Sequence, residues 1–290
     1  MSNLMVRVAA AAVGIPVILL LVFWRGTVAG VYPFYLFVAA LALLGAHEAN
    51  ALLANSPAPP RRGLQCGLAL ATVLGSFGAI DVLLPHRVNW TGCITPAEWL
   101  VLAVLATLLL VLARRLGRGE VTGTVAAAGQ ALLAVAMLAL PASFLALIYR
   151  LPQGSWLLFL VLLCTWLMDT GGYFAGRFFG RTKLAPVVSP KKTVEGFAGG
   201  LAGSIAAAYL LKAGAGDALP LAHGDMLLLG VLFAIAGQLG DLAESLVKRD
   251  LQVKDSGGLI PGHGGVLDRF DALLLNAPLG YLYFVAVAGN

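Results

Sequence analysis

Charge is what this sequence has least of. Asp, Glu, Lys and Arg make up 11% of its 290 residues, against ~25% in an average globular chain. Disordered chains, coiled coils and nucleic-acid-binding domains all draw on charged surface, so none of these classes fits. Cysteine is nearly as scarce. Cys66, Cys93 and Cys164 show no CxxC or metal-ligand spacing and read as small buried hydrophobes, which excludes a disulfide framework. No Walker A sequence, GxSxG elbow or HExxH pair occurs. What is abundant is apolar surface: 60% of residues are hydrophobic and the mean hydropathy is +0.90. The class left is an all-α polytopic membrane protein.

Nine uncharged runs locate the spans: roughly 8–24, 26–46, 63–80, 99–113, 121–149, 151–168, 196–211, 226–240 and 272–290. They are continuous and rich in Leu and Ala. A spanning β-barrel would need alternating polarity, so the runs predict about nine transmembrane helices. Several are shorter than the ~20 residues of a straight span, and charged residues must continue those helices. Phe23-Trp24-Arg25 follows the first run where a cleaved leader would carry a small-x-small site, so the first helix is expected to stay. With nine spans, fourteen of the nineteen Lys and Arg residues fall on the side of the N-terminus. Positive charge concentrates in cytoplasmic loops, so the N-terminus is expected in the cytoplasm. The segment Asn55–Arg62 reads as a stiff Pro-rich loop.

The acids are unevenly placed. Only Glu48, Asp81, Glu98 and Glu120 precede residue 169, while the other ten lie in the last 122 residues. Residues 1–160 therefore read as a helical scaffold and 161–290 as the catalytic region of one membrane unit, with no soluble domain. Asp169 and Asp241 are the fifteenth and sixteenth residues of spans counted from Ser155 and Met226. At ~1.5 Å per residue they lie about 21 Å into a core ~30 Å thick. Ionisable groups at such depth mark function more often than not. Asp241, Glu244, Ser245 and Lys248 recur at i, i+3, i+4 and i+7, one helix stripe. Asp268 and Asp271 are spaced i, i+3 and are expected on one face. As structural ion pairs, these acids would be matched by Arg177, Lys248 or Arg269.

Carboxylates so gathered suit a hard divalent cation, and the flanking Lys and Arg suit phosphate. Gly257, Gly258, Gly262, Gly264 and Gly265 let backbone amides approach phosphate closely. Lys191, Lys192 and Thr193 stand just before a helix start, another anion site. His263 could donate to a phosphate or serve structure alone. The pattern reads as metal plus polyphosphate at a membrane surface, which points to phosphoryl or nucleotidyl transfer onto a lipid. A transporter or channel with buried acids on an ion path is the competing reading.

The stretch Ser245–Asp271, SLVKRDLQVKDSGGLIPGHGGVLDRFD, resembles the signature of the phosphatidate cytidylyltransferase (CDP-diacylglycerol synthase) family. Asp169–Gly180 (DTGGYFAGRFFG) and Ser189–Gly200 (SPKKTVEGFAGG) resemble that family too. The resemblance implies an Mg²⁺-dependent (or Mn²⁺-dependent) reaction of CTP with phosphatidate, giving CDP-diacylglycerol and pyrophosphate. It implies Asp241, Asp268 and Asp271 as catalytic metal-site carboxylates, Asp268 directly or one step removed from the ion. Lys191, Lys192, Lys248, Arg249 and Lys254 become phosphate ligands, with Thr193, Ser245, His263, Gly264, Gly265 and Arg269 alongside. Asp169 and Glu244 are further polar-site candidates. A monovalent ion such as K⁺, a homodimer, no nucleic-acid partner and a bacterial inner membrane with the site facing the cytoplasm complete the expectation. Two other CTP-linked classes stand beside it. A CTP-dependent lipid kinase would release CDP, and CDP-alcohol phosphotransferases open their motif with Asp-Gly, a dipeptide this chain lacks.

Overall fold

In the computed structural model, residues 3–27, 32–54, 56, 62–76, 96–254, 256–257 and 265–288 are described. The Pro-rich loop (all but Ser56 and Arg62), Cys93, His263 and Gly264 lie outside them.

The described residues of the uncharged runs are helical apart from a few at the run ends. In chain order the helices are α1 (Asn3–Phe23), α2 (Pro33–Leu53), α3 (Arg62–Ser76), α4 (Pro96–Gly117), α5 (Thr124–Ala134) continuing through a π turn (Val135–Ala139) into α6 (Leu140–Arg150), α7 (Gly154–Phe179), α8 (Val194–Ala215), α9 (His223–Asp250), the short α10 (Leu267–Phe270) and α11 (Leu273–Ala288). Among the described residues, six helices are long and apolar enough to cross a membrane: those at 33–53, 98–117, 124–150, 154–179, 194–218 and 223–250. Two shorter apolar helices, Ala12–Phe23 and Leu273–Val287, accompany them. The protein is an integral membrane protein built almost wholly of helices.

Two features depart from a plain set of rods. The run 121–149 is broken by the π turn, and Pro141 explains where. Proline has no N–H to donate, and its ring clashes with the carbonyl four residues back, so the helix widens just before it. The second departure is a small antiparallel hairpin, β1 (Lys183–Ala185) and β2 (Ser189–Thr193), pairing Lys183 with Thr193 and Ala185 with Ser189. The sequence reading had only a loop there. Strands of 3 and 5 residues with Pro190 inside carry too little periodicity to be read.

The chain forms two compact units. The first comprises Met1–Leu147 and Leu251–Phe270; the second comprises Ile148–Asp250 and Asp271–Asn290. In the first, α2 buries Phe34, Val38, Ala42 and Ala46 on one side and Glu48 and Asn50 near its end. Gly45 lets it approach the π turn: a Cβ there would stand 2.6 Å from Leu138 Cδ1. Ser56 Oγ donates to Gln130 Oε1 at 3.0 Å, tying the end of α2 to α5.

The second unit is organised by a seam of glycines between α7 and α8. A Cβ on Gly171 would lie 2.5 Å from the Gly199 carbonyl oxygen, and one on Gly196 would lie 3.0 Å from that of Gly172. Gly203 meets the Leu167 carbonyl more closely still. Helices in lipid gain no hydrophobic force from burying Leu against Leu, so small residues that bring backbones together are the ordinary route to tight packing. The glycines of the two upstream motifs thus have a packing role. Helices α7 and α9 have 26 and 28 residues, about 39 and 42 Å at 1.5 Å per residue, against a core of ~30 Å. Their polar ends can therefore extend past the hydrocarbon.

Candidate active site

Hairpin and helix start are locked together by three side chains. Thr193 is the N-cap of α8: its backbone is extended, and its Oγ1 accepts from the Gly196 N–H at 3.0 Å. Glu195, in the first turn, accepts from the backbone N–H groups of Arg181 (3.0 Å) and Thr182 (3.1 Å). From across the chain, Arg249 Nε donates to the Val188 carbonyl at 3.2 Å, joining the end of α9 to the hairpin turn. These bonds set the backbone that carries Lys191 and Lys192. They also give Thr193, a candidate phosphate ligand, a structural duty that occupies its hydroxyl oxygen.

Lys192 Nζ lies 2.5 Å from Asp241 Oδ2, both side chains being about three-quarters buried. The helical stripe read from the sequence is present on α9. Ser245 Oγ donates to Asp241 Oδ1 at 3.4 Å, and Lys248 Nζ lies 3.0 Å from Glu244 Oε2, with the Glu244 side chain 2% exposed. Asp271, in the turn before α11, feels the charges of Asp241, Glu244 and Asp169. Burial and those three carboxylates push its carboxyl well above the usual range. Gly240 permits this approach, since a Cβ on it would collide with the Asp271 carbonyl oxygen. Asp169, Lys192, Asp241, Glu244, Ser245, Lys248 and Asp271 thus form one polar group within the second unit. Arg177 does not join these acids as an ion-pair partner; its Nη1 donates to Tyr173 Oη at 2.6 Å on its own helix.

The segment after α9 builds a different structure. Asp268 accepts the N–H groups of Gly265 (2.9 Å) and Ser256 (3.2 Å), so its carboxylate clasps the two ends of the glycine loop. The Gly265 amide is therefore spent inside the protein and is not turned toward a ligand. Helix α10 ends at Phe270, so Asp268 and Asp271 do not share a helix face as their spacing had led us to expect; α10 belongs to the first unit and Asp271 to the second. Lys254 and Arg269 are exposed.

Glu48 was missed. It had been counted as part of a scaffold, yet it is 3% exposed and its Oε2 accepts the Leu267 N–H at 3.0 Å, across 219 residues of chain. The available signal was a lone carboxylate two positions past the uncharged run 26–46, which in a membrane helix is a functional candidate by default.

Among the described residues, no group of three or more His, Cys, Asp or Glu side chains is arranged to hold a metal ion. Mg²⁺ normally takes one or two protein carboxylates and completes its octahedron with water and substrate phosphate. Asp271, crowded by like charge, and Asp241 beside it fit a cation of that kind.

These observations define a helical membrane protein with carboxylates and lysines gathered at the ends of its helices. More narrowly, the chain belongs to the cytidylyltransferase family, whose sequence pattern matches residues 5–287. A phosphatidate cytidylyltransferase of Bacillus subtilis (strain 168) is 45% identical over 132 residues, 46% of this chain and 48% of the relative. One of Synechocystis is 47% identical over 140 residues, 47% and 45% of the two chains. One of Thermotoga maritima is 41% identical over 150 residues, 51% and 55%. The matched stretches span about half the length of these relatives.

Proposed function

We propose that this chain is a CTP:phosphatidate cytidylyltransferase. The observation that carries the reading is the polar group on α7, β2, α9 and the turn before α11, which couples acids fit for Mg²⁺ to lysines fit for phosphate. Asp169, Lys192, Ser245, Lys248 and Asp271 fall in the motifs that resemble the family, and the curated relatives bear that enzyme's name.

The reaction asks little covalent chemistry of the protein. A phosphatidate oxygen, already an anion, attacks the α-phosphorus of CTP; the bond from that phosphorus to the bridging oxygen breaks, and pyrophosphate leaves. Positioning and charge neutralisation supply the catalysis. Asp241 and Asp271 would hold Mg²⁺, or Mn²⁺ in its place, whose contribution is to neutralise phosphate charge. Lys191 and Lys192 would take the triphosphate. Lys248, Arg249 and Lys254 would meet the remaining phosphate oxygens. Asp268, one step removed from the ion, would act through the backbone it holds at Ser256 and Gly265. A monovalent ion such as K⁺ and a homodimer belong to the same proposal. So do nine spans, a cytoplasmic N-terminus, and a bacterial inner membrane with the site facing the cytoplasm, as the distribution of basic residues supports.

The test is product identification. Purified protein with CTP, phosphatidate and Mg²⁺ should yield CDP-diacylglycerol and pyrophosphate by mass spectrometry, and nothing when phosphatidate is omitted. CDP as the product would move the chain to the lipid kinases. Solute flux in proteoliposomes with no chemistry would make it a transporter.

A further inference from the structure

The mechanism leaves one buried charged group unused. Glu48 sits near the end of α2, 3% exposed, and Gly257, Gly265 and Leu267 close on its carboxylate. Oε2 accepts the Leu267 N–H at 3.0 Å. A Cβ on Gly265 would stand 2.5 Å from the same Oε2, and one on Gly257 would stand 2.6 Å from Oε1. Glycine at these two positions therefore lets the loop close on the carboxylate. Ser256, 6% exposed, reaches the same place: its Oγ would also collide with a Cβ on Gly265. Neither Glu48 Oε1 nor Ser256 Oγ has a hydrogen-bond partner among the described residues. Burying a carboxylate in a membrane helix is costly, and the backbone N–H groups of Val266 and Leu267 are a small return unless the geometry they fix matters elsewhere. What they fix is the approach to Asp268, one residue on, whose own carboxylate gathers Ser256 and Gly265. Two carboxylates, one from α2 and one from α10, thus hold the same loop from opposite ends of its chain.

We propose that Glu48 is a positioning residue for the signature loop: it sets the backbone at 265–267 and, through it, the carboxylate of Asp268. This rests on the cytidylyltransferase reading for its kinetic consequence, though not for its structural one.

The test compares Glu48→Ala and Glu48→Gln with the unaltered full-length protein in detergent. Glu48→Gln keeps an oxygen to accept the Leu267 N–H. Glu48→Ala should lower kcat/KM for CTP roughly 10–100-fold, the scale of an ångström-sized misplacement, and Glu48→Gln should recover most of that loss. Glu48→Ala and Asp268→Asn together should cost much less than the product of their separate effects, since both act on one loop. Limited trypsin digestion read by mass spectrometry should show faster cleavage after Lys254 and Arg269 in Glu48→Ala. That digestion needs no activity. If the unaltered protein makes no CDP-diacylglycerol, the functional reading fails while the digestion still decides the role of Glu48. Unchanged digestion overturns the proposal. So does a Glu48→Ala protein whose thermal stability drops while kcat and KM stay at wild-type values, for that is a purely structural residue. Equal loss in Glu48→Gln and Glu48→Ala also overturns it.

Discussion

Replacing Gly199 with Ala tests the α7–α8 seam directly. The new Cβ would stand 2.8 Å from the Gly171 carbonyl oxygen and closer to Ala175 Cβ. Ordinary contact begins near 3.4 Å, so the helices must part by roughly 0.5 Å or more, and overpacking of this kind costs about 1–3 kcal/mol. Alanine also gains about 1 kcal/mol over glycine in a helix, which would blur the result. Gly129→Ala removes that ambiguity: Gly129 lies inside α5 with nothing within 4 Å of a built Cβ. The propensity gain is common to both, so the difference between the two variants isolates the seam at about 1–3 kcal/mol, a roughly 5–160-fold change in the folded-to-unfolded ratio. Reversible SDS titration in mixed micelles measures it. Activity should follow, since Asp169 lies two residues before Gly171 and Lys192 lies four before Gly196. If Gly199→Ala and Gly129→Ala move the midpoint alike, the seam is not packed as described and the reasoning fails.

Asp241→Asn and Asp271→Asn should each abolish pyrophosphate release while leaving membrane insertion intact; near-normal turnover in both would remove them from the metal site. Thr193→Ala should destabilise by about 1 kcal/mol through loss of the N-cap, with Thr193→Ser close to neutral, measured by the same SDS titration. A double-mutant cycle of Lys192→Met and Asp241→Asn should give a coupling of about 1 kcal/mol in stability, modest because both side chains keep contact with water. Tyr283→Phe should cost about 1 kcal/mol, since Tyr283 Oη donates to Asp225 Oδ1 at 2.6 Å, and it should leave the reaction untouched.

The helices were legible because lipid enforces them. A chain that must satisfy every backbone group internally writes its spans as uninterrupted apolar runs, and the described parts of those runs are helical but for a few end residues. The stripe Asp241–Lys248 was legible for a similar reason: i, i+4 neighbours on one helix meet whatever surrounds them. The hairpin was not, because its strands are short and one contains proline. Nor was the pairing of Lys192 with Asp241, since nothing in a spacing of 49 positions reveals that β2 lies beside α9. Glu48 shows the limit most plainly. Its partner lies at the far end of the chain, and only the fold brings α2 to the signature loop. The glycines misled in part. Gly265 was read as freeing an amide for phosphate, whereas its N–H is held by Asp268 and its bare Cα makes room for Glu48.

This arrangement bears on how so many charges can sit near a membrane. In the second unit Lys192 is paired with Asp241, and Lys248 with Glu244. The candidate phosphate ligands and the candidate metal ligands neutralise one another, which offsets the cost of holding them at depth. On the proposed reading, substrate then enters by exchange. Lys192 turns from a carboxylate to a phosphate, and Asp241 becomes available to the cation that arrives with the nucleotide. Each charged side chain exchanges one partner for another, which limits the charge left unpaired in a poorly solvated region. A Lys192→Met variant separates the two halves of that exchange. It should weaken CTP binding, because a phosphate ligand is gone. It should also tighten binding of Mg²⁺ or Mn²⁺ alone, because Asp241 has lost its competing cation. Calorimetry with the metal in the absence of nucleotide reads the second effect, and metal affinity that is unchanged or weaker in Lys192→Met would refute the exchange.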